Sequence, residues 1–257
     1  RIILGCIGAW MLNACAPVKQ NETMENMYLI VGSYATPQEE GIKVYAWDNE
    51  KGEATYVSGL TGISNPSYQV VSADGKYVYS VGEDDGLTST AHALSFDQAN
   101  GKLALMNTQL TQGGAPCYIN ITPDGKTVIT ANYMGANISL IPLETSGRLS
   151  ENVSTIDFTG EGEMKNRQDQ PHLHCVEFTP DGKYLVANDL GTDKIHVFPL
   201  DSDGKPDEKA TFDVNLEPAS GPRHLCFSKD GRFAYLINEI SGKVTTLSYD
   251  GKGLTPI

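Results

Sequence analysis

Four Asp-Gly pairs, at Asp74-Gly75, Asp124-Gly125, Asp181-Gly182 and Asp230-Gly231, stand 50, 57 and 49 residues apart along the chain. A basic residue follows each pair, and then a short run rich in apolar and β-forming residues: Tyr77 to Glu83, Thr127 to Tyr133, Tyr184 to Leu190 and Phe233 to Glu239. A second such run precedes each pair, opened by Asn65-Pro66-Ser67-Tyr68, Ala115-Pro116-Cys117-Tyr118, Gln170-Pro171-His172-Leu173-His174 and Gly221-Pro222-Arg223-His224. Asp-Gly suits the positive-φ positions of a tight turn, so each unit reads as a β-hairpin. Between Pro116 and Gly160 the period resolves into four strands, A to D: Cys117 to Thr122, Thr127 to Asn132, Ile138 to Leu143 and Val153 to Phe158. Turn residues separate them and no helix-period stretch intervenes. The predicted fold class is therefore all-β, a β-propeller of four-stranded blades.

The first residues differ in kind from this repeat. Ile2 to Leu12 is apolar, follows Arg1 and is too short to span a bilayer, which suits the core of a secretion signal. Leu12-Asn13-Ala14-Cys15 resembles a bacterial lipobox, so residues 1–14 are expected to be a lipoprotein signal and Cys15 the lipidated residue. An apolar strand packed on the domain is the other reading. Residues 15–27, polar and aperiodic, read as a tether. This places the protein outside the inner membrane, periplasmic or at the cell surface, touching the membrane only through the lipid.

Residues 28–257 form the expected propeller domain. Tyr28 to Tyr34 aligns with second strands, so the first blade starts at strand B. Full blades are expected at 65–110, 115–160 and 172–216. A fifth starts at Arg223 and is expected to run out after Val244 to Tyr249, with Leu254 to Ile257 a stub. About eighteen strands do not close a ring with four in every blade, so C-terminal blades are expected to be missing. An open arc exposes strand edges.

A net charge of -13 argues against nucleic acid as a partner. Beyond the N-terminal segment, Cys117, Cys175 and Cys226 are odd in number, lie in A strands and form no Cys-x-x-Cys, which favours core packing over disulfides or structural zinc.

The turns also serve as rulers. Seven residues before each Asp lie Ser67, Cys117, His174 and Arg223; eight and nine after it lie Gly82 and Glu83, Asn132 and Tyr133, Asp189 and Leu190, Asn238 and Glu239. Antiparallel A and B strands put the start of one beside the end of the other. Strand A is innermost in a propeller blade, so these positions ring one mouth of the central channel. That rim would carry His172, His174, Asp189, Arg223, His224, Asn238 and Glu239, with Glu83 further round. Imidazoles, a guanidinium and carboxylates at a concave mouth make a ligand site. Alternatively, each merely ties down a loop. His92 and His196 fall in third strands, away from the rim.

Gln170 to His174, Phe178 to Leu185, Asn188 to Asp193, Gly221 to His224 and Asn238-Glu239 resemble the seven-bladed propeller lactonases, typified by bacterial propeller-type 6-phosphogluconolactonase and related to fungal carboxymuconate cyclase. The resemblance runs from Tyr28 to the end. It implies seven blades and a site of a His, an Arg and a Glu, which map onto His174, Arg223 and Glu239. It also implies a further Arg from a later blade, which no residue of this sequence matches. His172, Asp189, His224 and Asn238 would then bind substrate, with no cofactor and no metal.

Lactone opening needs a nucleophilic water, charge stabilisation on the carbonyl oxygen and a proton for the leaving alkoxide. Glu239 or His174 could take the proton from water, and Arg223 could hold the oxyanion or a substrate anion. Export favours an unphosphorylated lactone. There is no Gly-x-Ser-x-Gly, which disfavours a serine nucleophile. The alternative is a surface-tethered propeller that binds a sugar, peptide or protein without turnover.

Overall fold

A computed structural model describes residues 27–257. The expected signal segment, Cys15 and the tether up to residue 26 lie outside the described residues. The rest folds into five antiparallel sheets.

The first sheet holds β1 (Tyr28–Gly32), β2 (Ile42–Asp48) and β3 (Glu53–Leu60), with no innermost strand among the described residues, as the alignment of Tyr28 with second strands predicts. The second holds β4 (Gln69–Val71), β5 (Tyr77–Gly82), β6 (Thr90–Asp97) and β7 (Lys102–Leu110). The third holds β8 (Pro116–Ile121), β9 (Thr127–Asn132), β10 (Asn137–Pro142) and β11 (Ser154–Asp157). The fourth holds β12 (Leu173–Phe178), β13 (Tyr184–Asp189), β14 (Lys194–Pro199) and β15 (Phe212–Asn215).

In the fifth, β16 (Pro222–Phe227), β17 (Phe233–Asn238) and β18 (Val244–Tyr249) are joined by β19 (Leu254–Pro256). The expected stub is thus a true fourth strand. Its backbone pairs with β18 from Leu247 to Tyr249, and the side chain of Leu254 is buried. Three residues suffice because that one apolar anchor faces the core.

Alternation along each strand builds the interfaces between blades. In β13, Leu185 and Ala187 pack toward the third sheet with Tyr118, Ile129 and Ile138, whereas Val186 packs toward the fifth with Leu225, Ala234 and Leu236. Each Leu or Ile buried this way contributes about 1.5–3 kcal/mol over leaving it exposed. The strands β4, β8, β12 and β16 are neighbours around the axis, which puts their side chains along the channel.

The Asp-Gly turns differ in one respect from their expected form. Only the glycines take positive φ, at 68°, 71°, 67° and 71° for Gly75, Gly125, Gly182 and Gly231. The aspartates act through their side chains instead. Asp181 accepts from Thr179 Oγ1 at 2.8 Å, from the Lys183 amide at 3.3 Å and from Tyr249 Oη of the next blade at 2.9 Å. Asp74 accepts from Ser72 Oγ at 2.7 Å and the Lys76 amide at 3.1 Å. Asp181→Ala is therefore expected to lower the unfolding free energy of the full-length protein by about 1 kcal/mol, and Asp74→Ala by less. Urea denaturation of the two variants side by side reads the difference.

Candidate active site

The geometry of the mouth is set by backbone rungs repeated in the second to fifth sheets. The amides of Glu83, Tyr133, Leu190 and Glu239 donate to the carbonyls of Asn65, Ala115, His172 and Gly221 at 3.0, 2.9, 2.9 and 2.7 Å. Each rung locks the end of a second strand to the start of a first strand. Immediately beyond it the innermost strand bulges in the third, fourth and fifth sheets. The register skips between Pro116 and Tyr118 in β8, between Leu173 and Cys175 in β12, and between Pro222 and Leu225 in β16. A bulge leaves one residue unpaired and re-aims its side chain. The residues in these bulges are Cys117, His174 and the Arg223-His224 pair.

These side chains meet Glu239. Arg223 Nε donates to Glu239 Oε2 at 2.8 Å, and His174 Nε2 stands 3.8 Å from the same oxygen. Three residues far apart in the chain thus gather at one opening. Cys117 Sγ lies 3.6 Å from His174 Nδ1. The buried Asn188 donates its Nδ2 to the Arg223 carbonyl at 3.0 Å and so fixes the bulge that carries the guanidinium.

A second guanidinium was not legible from the repeat. Arg167, in the loop 158–172 between β11 and β12, donates through Nη2 to Glu239 Oε1, so the carboxylate is held from both sides. The same nitrogen reaches Tyr133 Oη at 3.5 Å. One signal for it did exist: the spacing from Asp124 to Asp181 is 57 residues against 50 and 49, and the surplus falls in this loop.

Tyr133, the equivalent of Glu239 two blades earlier, stacks on His172 with ring centroids 4.3 Å apart, and the His172 Nδ1–H donates to the Tyr133 carbonyl at 2.8 Å. His172 is 5% exposed and His174 7%, so both rings are largely enclosed in the wall of the mouth. His224 packs edge-on against His174 at 5.1 Å and against Tyr118 at 5.2 Å, leading down into the channel. Further round, Glu83 accepts from Tyr34 Oη at 2.8 Å and from Ser67 Oγ.

Asp189 and Asn238, expected to bind substrate, are instead 0% and 1% exposed. Asp189 Oδ1 accepts from the His172 amide at 2.7 Å and from the Gly191 amide at 2.9 Å. Asn238 donates Nδ2 to Thr245 Oγ1 at 2.8 Å. The reason is strand alternation: the eighth residue after the turn points between blades, and in the second, third and fifth sheets the ninth points to the mouth. His196 bridges Asp213 at 2.7 Å and Asp189 at 3.4 Å, while His92 is held by Thr90 and Thr108. Of the cysteines, Cys117 and Cys175 are buried but Cys226 is exposed, contrary to the expected core packing of all three.

Burial alone pushes the Glu239 carboxyl up, but its hydrogen bonds to Arg167 and Arg223 overbalance that and hold it below the usual carboxylate range. It is an anion at neutral pH. Burial, with the Arg223 charge second, takes His174 down to about 4, and the same two causes take His224 to about 4. Both imidazoles are neutral at pH 7. Among the described residues no group of three or more His, Cys, Asp and Glu side chains converges as a metal cage requires.

A family model described as "Lactonase, 7-bladed beta-propeller" matches residues 28–256. The chain belongs to this seven-bladed β-propeller lactonase family. It is 33% identical over 220 residues to a 6-phosphogluconolactonase of Bacillus subtilis, covering 86% of this chain and 62% of that protein. It superimposes on a crystal structure from Bacteroides fragilis with TM-score 0.84 and 41% identity, over 92% of this chain and 67% of the other. It also superimposes on the periplasmic gluconolactonase of Pseudomonas aeruginosa with TM-score 0.79 and 32% identity, over 90% and 66% of the two chains. The chain thus spans about three fifths of the Bacillus subtilis relative's length, 62%.

The buried histidines give the stability a pH dependence. An imidazole whose folded value lies below the ordinary 6.5 takes up protons more readily when unfolded, so its contribution is complete above about 6.5 and is lost as pH falls toward 4. His92, brought to about 4 mainly by burial, acts in the same sense as His174 and His224. Urea midpoints of the full-length protein are expected to fall from about pH 7 to about pH 4, with a shallower slope in His92→Gln.

Proposed function

We propose that the protein hydrolyses a sugar-derived lactone by water attack at the mouth of the channel. The observation that carries this reading is the meeting of His174 and Arg223, on bulges of neighbouring blades, with Glu239 just past the end of β17. The family relationship and the names of the Bacillus subtilis and Pseudomonas aeruginosa relatives support the reaction class.

In the proposed reaction, the oxygen of a water attacks the lactone carbonyl carbon and its proton passes to a base at the mouth. Neutral His174 and anionic Glu239 are the candidates, 3.8 Å apart. Negative charge then grows on the carbonyl oxygen, and Arg223 is the donor poised to meet it, since among the described residues only its Nε is engaged. The ring C–O bond breaks, the alkoxide takes up the proton held by the base, and the open-chain hydroxy acid loses its carboxyl proton to solvent and leaves as its carboxylate. A preorganised cation suits this step because it needs no reorganisation while charge develops.

The substrate is proposed to be an unphosphorylated lactone, on the ground that the N-terminal sequence reads as an export signal with Cys15 as its lipidation site. The printed description of the Pseudomonas aeruginosa relative as a periplasmic gluconolactonase supports this. One observation favours the other reading, a propeller that binds without turnover: both oxygens of Glu239 are already engaged by guanidinium groups, as in an anion receptor.

A lactone panel assayed with the full-length protein separates the two. Arg223→Ala is expected to lower kcat for ring opening by about a hundredfold or more, the usual loss for one oxyanion donor. Glu239→Ala is expected to be at least as damaging, because it also leaves two cations unpaired. Ring opening at the original rate in both variants would exclude the hydrolase reading.

A further inference from the structure

We propose that Cys117 is a positioning residue: its thiol donates to Nδ1 of His174 and so places the one proton of that ring on Nε2, facing Glu239. His174 is then a hydrogen-bond donor to the lactone, and Glu239 is the group that takes the proton from water. This rests on the lactonase reading above and divides between two residues the roles which that reading leaves open.

The two nitrogens of His174 look onto unlike neighbours. Cys117 holds the same place in the third blade as His174 in the fourth, and the bulges at both bring them together. The ring is held edge-on by Tyr133 and His224, with centroids 5.6 and 5.1 Å away. Among the described residues Nδ1 has one hydrogen-bonding partner, Cys117 Sγ at 3.6 Å. Nε2 stands 3.8 Å from Glu239 Oε2, and among the described residues no hydrogen-bond donor reaches it.

A neutral imidazole carries one proton, and the bond made by one nitrogen decides whether the other holds it. On Nδ1 the proton would point at sulfur, a weak acceptor, while the lone pair of Nε2 faced a carboxylate anion. On Nε2 it points at that anion, and Nδ1 accepts from the thiol. Both ends of the ring favour the second arrangement. The thiol keeps its proton for this purpose: burial, with the Glu83 carboxylate second, pushes Cys117 well above the ordinary thiol range. The carbonyl oxygens of Leu173, His174 and Ala131 lie 3.6, 3.7 and 3.8 Å from the sulfur and compete for it. A carbonyl has two lone pairs and loses little by missing a weak S–H contact, whereas Nδ1 is a buried acceptor with no other donor.

The division of roles follows from the tautomer. The Nε2–H joins Arg223 in meeting the carbonyl oxygen as charge grows there. Glu239, an anion at neutral pH, takes the proton of the attacking water and returns it to the alkoxide. His174 gives up no proton and stays neutral throughout.

Nitrogen NMR of the imidazoles in the full-length protein at neutral pH reads the tautomer without any substrate, the His174 signals being those lost in His174→Gln. A protonated Nε2 and a bare Nδ1 are expected. In Cys117→Ala the two tautomers are expected to mix, and kcat for gluconolactone to fall about tenfold while KM stays within about twofold. Cys117→Ser keeps a donor at the same place and is expected to recover most of both. A proton on Nδ1 in the unmodified protein, an unchanged tautomer in Cys117→Ala, or equal losses in the Ala and Ser variants would overturn the inference and leave the hydrolase reading intact. Turnover of no lactone by the unmodified protein would overturn the hydrolase reading and the catalytic roles assigned to His174 and Glu239 with it, whatever tautomer the spectrum shows.

Discussion

At the start of β8, β12 and β16 the backbone ladder skips a residue, and the chemistry of the mouth follows from that skip. In a regular strand successive side chains point alternately to opposite faces, so the pleat alone would fix which face Cys117, His174 and Arg223 take. The bulge breaks the alternation where the rung from Tyr133, Leu190 or Glu239 ends, so His174 and Arg223 turn toward Glu239 while Cys117 stays buried against His174. The loss of regular pairing is offset locally. Asn188, at no exposure, holds the Arg223 carbonyl, and Asp189 holds the amides before and after it in the fourth blade. The buried polar residues of the second strands are therefore the supports of the site, which is why they cannot also be its ligand contacts.

Much of this was legible in the sequence because a turn is a local device. The Asp-Gly pairs fix where each hairpin folds, and counting from them places His174, Arg223 and Glu239 on one rim without knowledge of the bulge. The count failed by one residue at Asp189 and Asn238: it gave the right end of the strand but not the face, which depends on pleat and register. It also missed β19, since Leu254–Pro256 has too few residues to show a period. Arg167 escaped for the opposite reason. It lies on the one long loop outside the repeat, where no ruler applies, and its contact with Glu239 joins residues 72 apart.

The charge of the whole chain and the charge gathered around Glu239 have opposite signs. A chain of net charge -13 repels an anionic ligand at long range, yet at one side of the mouth two guanidiniums gather on the single carboxylate of Glu239, with Glu83 further round. The two ranges differ enough for both to hold. At physiological ionic strength surface charges are screened beyond about 8 Å, so the bulk of the acidic surface is scarcely felt at the rim. Contact between a guanidinium and an anion at the half-buried mouth is screened far less. Keeping His174 and His224 neutral sharpens this contrast. Protonated, they would add cations without the planar two-point geometry and would repel the arginines beside them. The burial that depresses both imidazoles thus reserves recognition at the mouth for the arginines, and leaves His174 neutral at pH 7, where Glu239 is an anion.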